Sequence, residues 1–179
     1  MNRPFYLWLL TFYYKNVIIK IGYLWGEVNI LAYMYRGLED INLDYRDLDF
    51  RLVKTKGLKE LKMYIDDFMI AFNRPKYMYI IHFLNYLFDR NKYFIYYKGE
   101  KIGNCMLVVY IEQLTCVLYD FNLKTEYRGK RLSEGALKEI LFKAKEQGIE
   151  EVYLEVNDNN FIAIKLYEKC GFEYESEIE

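Results

Sequence analysis

The sequence predicts an α/β protein built on one mixed sheet with helices on both faces. Three observations carry that reading. Two apolar repeats of helical period stand between runs of strand character. The second half then alternates strand, helix, strand, helix, strand. The third observation is composition: 53% of the 179 residues are hydrophobic and 19% aromatic. That suffices for a real core and is too much for a disordered chain.

Residues 4–36 are dominated by Tyr, Phe, Trp, Ile and Val, broken at Lys15-Asn16 and Gly26-Glu27, which fits strands joined by tight turns. Within them "FYLWLLTFYY" (5–14) follows Arg3 and imitates a signal peptide. It lacks a small-x-small cleavage site, and Lys15 and Lys20 cut it short of the roughly 20 apolar residues of a membrane span. A polar connector at 37–47 leads to a short strand at 48–54.

Leu58, Leu61, Ile65, Phe68, Met69 and Phe72 mark one helix. Ile80, Ile81, Leu84, Leu87 and Phe88, after Pro75 near the helix start, mark a second. "YFIYYKGEKIGNCMLVVY" (93–110) is a hairpin turning at Gly99-Glu100, and a further strand covers about 114–123. Leu132, Ala136, Leu137, Ile140, Leu141 and Ala144 form the apolar face of a helix that ends before Gly148. A strand at 151–156, a helix at 159–170 closed by Gly171 and a last short strand at 172–177 complete the chain. It divides into an aromatic-rich, β-like N-terminal extension at 1–46 and an α/β domain at 47–179. So aromatic an extension is expected to pack on the domain's sheet or to form a homodimer interface.

A net charge of −1 and a pI near 6.0 argue against bulk electrostatic binding to nucleic acid. The acidic end "EYESEIE" argues against a charged-RNA acceptor as well. Cys105, Cys116 and Cys170 have no metal-site spacing and cannot all pair, which suits a reducing cytoplasm. His82 is the only histidine, and an isolated one beside an apolar helix face is more often structural than catalytic.

Two segments carry chemistry. "YRGKRLSEGAL" (127–137) runs from a basic turn into a helix whose first N–H groups lack intrahelical partners. With the positive end of the helix dipole, these suit a phosphate or pyrophosphate. Lys124, Arg128, Lys130 and Arg131 surround the point, opposed only by Glu126. "LEVNDNNFIAIKLYEKCGFE" (154–173) ends a strand, turns through Asn and Asp, and starts a helix carrying Tyr167. Strand alternation sends Glu155 to the opposite face from Leu154 and Val156, so Glu155 and Tyr167 can flank one cleft.

In these residues the chain resembles the GCN5-related N-acetyltransferase (GNAT) family. The resemblance rests on "YRGKRLSEGAL" as the acetyl-CoA pyrophosphate turn and on the spaced pattern Asn160, Ala163, Leu166-Tyr167-Glu168-Lys169, Gly171-Phe172. The element order from about 48 to 179 fits as well, with the motif match confined to 120–173. The resemblance implies the acyl-CoA N-acyltransferase fold, with its central sheet splayed, and acetyl-CoA as co-substrate with no metal. Backbone groups of Phe121, Asn122 and Leu123 would meet the pantetheine arm and the thioester. Arg128, Gly129, Lys130, Arg131, Leu132 and Ser133 would take the pyrophosphate, with Asn160 also at the cofactor.

Tyr167 stands at the position of the general acid. A Glu-Val pair twelve positions ahead of it is similar to bacterial ribosomal-protein N-terminal acetyltransferases, which makes Glu155 the preferred base. Asp120 and Glu112 are the alternative carboxylates. The implied reaction is direct attack by a primary amine, on a small molecule or a protein N-terminus, in a ternary complex without nucleic acid or membrane.

The chain departs from the family at the turn, where two small positions hold Arg131 and Ser133. Both residues are expected in right-handed helical conformation, with the Arg131 guanidinium available to a phosphate. The altered turn also leaves an alternative, a non-catalytic acyl-CoA-binding module.

Overall fold

The computed structural model describes residues 31–42, 46–79, 83 and 91–175. The strands expected within 4–30, the repeat Ile80–Phe88 and His82 lie outside the described residues. Among the described residues seven strands form one sheet: β1 (Leu31–Gly37), β2 (Phe50–Lys54), β3 (Lys92–Tyr97), β4 (Glu100–Tyr110), β5 (Thr115–Leu123), β6 (Glu151–Asn157) and β7 (Glu173–Tyr174). Their order across the sheet is β2-β3-β4-β5-β6-β1-β7. All neighbours are antiparallel except β5 and β6. The sheet is mixed, as expected from the alternation of elements.

Among the described residues three helices cover it: α1 (Gly57–Ala71), α2 (Leu132–Glu146) and α3 (Phe161–Lys169). The apolar repeat of α1 buries Leu61, Ile65 and Phe68, with Tyr64, against Phe94 and Met106 on one face. Ala136, Leu137 and Ile140 of α2 and Ile164 and Tyr167 of α3 join a larger cluster with Leu118, Leu154 and Val156 on the other. Each strand feeds the two layers alternately, because successive side chains leave opposite faces.

The β3–β4 hairpin turns one residue earlier than the sequence predicts. Lys98 (φ 49°) and Gly99 (φ 85°) are both left-handed, the geometry of a two-residue turn whose twist matches its strands.

β1 enters the sheet between β6 and the edge strand β7. It pairs along its length with β6, from Leu31 opposite Asn157 to Gly37 opposite Glu151, and on its other edge with β7 at Met34 and Tyr35. Met34 is fully buried. The chain after β1 is tied to α2. Lys145 donates to the carbonyls of Leu38 (2.7 Å) and Ile41, and Arg46 binds Glu139 through both carboxylate oxygens. Glu139 is 1% exposed, so Arg46 supplies the charge that a buried carboxylate requires.

Candidate functional site

β5 and β6 run parallel and paired only from Thr115–Glu151 to Leu118–Leu154. Beyond that they separate, leaving residues 119–123 of β5 without ladder partners on the β6 side. A bulge in β5 accompanies the separation. Asn104 of β4 opposes Asn122 and Met106 opposes Tyr119, so Cys105 alone faces both Asp120 and Phe121. Asp120 is left-handed (φ 55°), a conformation that Asp tolerates better than most residues. Phe121 is half-buried against the core and Leu123 is fully packed in it. Backbone groups of these residues therefore reach the opening while their side chains hold the strand.

The basic turn follows directly. Arg128 is extended and its Nε donates to the Leu123 carbonyl at 2.8 Å, fixing the turn to the end of β5. Gly129 has φ 71° and open space where a Cβ would stand. Lys130 lies over the Tyr127 ring at 5.5 Å, and the Tyr127 hydroxyl donates to Glu100 at 2.8 Å.

Arg131 departs from expectation. It is left-handed (φ 61°, ψ 18°) and stands at the N-cap of α2, with no side-chain cap hydrogen bond. After the extended Arg128, Gly129 and Arg131 take left-handed conformations before the helix begins, and the second falls where the family pattern has glycine. Leu132 and Ser133 are the first residues of α2 and are right-handed as expected. The first-turn amides of α2 carry no side-chain cap from Arg131, and Arg131 has no ion pair or hydrogen bond among the described residues. Glu134 in the same turn is neutralised by Lys138 (2.8 Å) and Lys169 (2.5 Å), hydrogen bonds that hold its carboxyl down at about 2.

Glu155 is the first β6 residue past the paired stretch and faces Tyr33 across the β1 ladder, so both side chains leave the sheet on one face. Burial first, then the charges of Glu155 and Glu175, push the Tyr33 phenol up to about 12. Tyr167 comes from the other face, where it shares the buried cluster with Leu154 and Val156. Its ring lies 5.7 Å from that of Phe172, and burial raises its phenol to about 12. Carboxylate and phenol thus lie on opposite faces of the sheet.

Asn160 is the N-cap of α3, accepting from the Ala163 amide at 3.2 Å. Asn157 shapes the preceding turn by accepting from the Asn159 amide at 3.0 Å. Of the alternative carboxylates, Asp120 sits in the bulge and accepts from the Tyr64 hydroxyl at 3.3 Å. Glu112 lies in the short turn before β5, at the end where β5 and β6 are paired, and is not brought to the opening.

Sequence reasoning missed Tyr33, Tyr64 and Asn104. Tyr33 and Tyr64 are two among 20 tyrosines, and only tertiary pairing distinguishes them. Asn104 carried a signal, an amide within the apolar run "GNCMLVV".

The fit to acetyl-CoA is tested by these features together. A strip of unpaired β5 backbone leads to α2 amides that no side chain caps, beside cations of which Arg131 is unengaged among the described residues. That donor set suits an extended amide-containing arm ending in a pyrophosphate.

Comparison with known proteins agrees. The model of the acetyltransferase (GNAT) family matches residues 59–172. An uncharacterized N-acetyltransferase of Bacillus subtilis, YdgE, is 34% identical over 79 residues, which is 42% of this chain and 49% of that protein. The spermine/spermidine N(1)-acetyltransferase of the same organism is 28% identical over 103 residues, 48% of this chain and 60% of that one. The chain thus spans about half the length of the curated relatives it matches.

Among solved structures, a GCN5-related N-acetyltransferase from Sphaerobacter thermophilus superposes with a TM-score of 0.66 at 14% identity, covering 88% of this chain and 53% of that one. The ribosomal-protein-S18-alanine N-acetyltransferase of Escherichia coli gives 0.55 at 17% identity, covering 68% and 76%. Both are likenesses of fold.

Proposed function

The chain belongs to the acetyltransferase (GNAT) family, and on that premise we propose that it is an N-acetyltransferase moving an acetyl group from acetyl-CoA to a primary amine by direct attack in a ternary complex. The observation that carries the reading is the separation of β5 from β6 after Leu118 and Leu154, with Glu155 on one face of β6 and Tyr167 packed on the other. Acetyl-CoA supplies an activated acyl group as a thioester. The backbone of Phe121, Asn122 and Leu123 holds its arm. Arg128 to Ser133 hold its pyrophosphate, with Asn160 at the turn beyond β6.

Glu155 accepts the proton that an incoming ammonium must lose. An α-amino group, with a pKa of about 7.7–8.0, needs less help there than a lysine at about 10.4. Tyr167 donates a proton to the departing thiolate. Burial holds its phenol at about 12, so it stays protonated throughout the working range.

The acceptor class is a small polyamine or a protein N-terminus, supported by the names of the relative and of the fold neighbour. A cytoplasmic setting fits three buried free thiols and the lack, among the described residues, of a helix long and apolar enough to cross a membrane. A panel of polyamines, amino acids and N-terminal peptides, assayed for amine-dependent release of CoA, tests the proposal. Tight acetyl-CoA binding without transfer to any amine would favour the acyl-CoA-binding module instead.

A further inference from the structure

A closed polar network surrounds the β5 bulge. Asn104 is fully buried within the apolar run 102–109 of β4. Its Oδ1 accepts from Asn122 Nδ2 at 2.5 Å, and the same Asn122 nitrogen donates to the Asp120 carbonyl at 2.8 Å. Asn104 Nδ2 donates to the Tyr64 carbonyl of α1 at 3.4 Å, while the Tyr64 hydroxyl donates to Asp120 Oδ2 at 3.3 Å. The ring thus joins α1, β4 and the bulged strand. β4 and β5 are also pressed together here, because a Cβ on Gly103 would stand 2.2 Å from the Asn122 carbonyl oxygen.

A buried amide costs about 1–3 kcal/mol unless its partners are met, so an apolar residue would serve a plain strand interior better. What Asn104 does is bind the Asn122 side chain, which spans the bulge. Without that anchor Asn122 is free to turn, and its hydrogen bond to the Asp120 carbonyl, one of the contacts that hold the left-handed Asp120, is lost.

We propose that Asn104 is a positioning residue for the acyl donor: it holds Asn122 and thereby fixes the backbone of residues 120–123 in the arrangement that meets the thioester arm. The proposal rests on the acetyltransferase reading above. It places the effect at the arm and not at the pyrophosphate turn, which lies beyond the bulge and is tied by Arg128 to Leu123, the far end of the strand.

The test is calorimetric titration of the full chain with acetyl-CoA and, separately, with 3′-phosphoadenosine 5′-diphosphate, the nucleotide half of CoA. Asn104→Leu should weaken acetyl-CoA binding on the order of tenfold while leaving the nucleotide half within about twofold. Asn122→Ala attacks the same ring from the other strand and decides the matter if the Leu variant fails to fold. Equal weakening of both ligands, or of neither, overturns the proposal. A wild-type chain that binds the nucleotide half but gains nothing from the acetylated arm overturns it too. A wild-type chain that binds neither ligand overturns the donor reading itself, and the two failures are thereby told apart.

Discussion

Arg131 gives a prediction whose sign follows from one backbone angle. At φ 61° and ψ 18° it is left-handed, which for a residue with a Cβ costs about 1–2 kcal/mol. Arg131→Ala keeps that cost. Arg131→Gly removes it but frees the unfolded chain, which offsets about 0.5–1 kcal/mol. The Gly variant should therefore be the more stable of the two by about 1 kcal/mol, a Tm difference of about 2–4 °C for a chain of this size. In right-handed helix the order reverses, with Ala ahead of Gly by about 1 kcal/mol. Thermal unfolding of both full-length variants by circular dichroism measures the difference. An Ala variant more stable than the Gly variant would refute the left-handed entry into α2. Both variants also lose an exposed guanidinium, so acetyl-CoA affinity should fall by about fivefold or less. Added salt should weaken wild-type binding more than either variant's.

Tyr167→Phe should lower kcat on the order of 10²-fold with acetyl-CoA affinity unchanged, measured by steady-state kinetics beside calorimetry; wild-type turnover would remove Tyr167 as the acid. With its phenol at about 12, Tyr167 should impose no alkaline loss of kcat below about pH 10. Glu155→Gln should alter the acidic limb of the pH–rate profile and regain activity at high pH, where the amine sheds its own proton. A profile scaled down without change of shape would move the role to Asp120. A chain beginning at Asp47 loses β1 from between β6 and β7 and Arg46 from the buried Glu139. Removing one partner of a buried pair alone costs about 3–5 kcal/mol, so this chain should unfold, aggregate or change oligomeric state in size-exclusion chromatography. A monomeric, active truncation would contradict the account.

Local patterns were legible wherever chemistry between near neighbours decides the structure. The spacing Leu61, Ile65, Phe68 marked α1, the alternation in "EVYLEV" marked β6, and Gly148 and Gly171 marked where α2 and α3 stop. The site was legible for the same reason at its motif, since the turn at 127–133 and the run to Tyr167 are contiguous. Pairing between distant segments was not. β1 carries strand character, but no periodicity says that it inserts between β6 and β7, more than a hundred residues away. Arg131 was misjudged because its side chain permits a right-handed helix, whereas the path of the chain from Arg128 imposes the opposite hand. Tyr64, Asn104 and Asp120 meet only once α1 lies across the bulge.

The central claim is that this site transfers an acetyl group between acetyl-CoA and an amine. Its most direct test incubates the full chain with acetyl-CoA and the amine panel, follows thiol release, and identifies the product by mass spectrometry. The account predicts amine-dependent release of CoA, an acetylated amine as product, and loss of both in Tyr167→Phe. Thiol release that is unchanged by any amine, or an acetylated product formed equally well by the Tyr167→Phe variant, would contradict it.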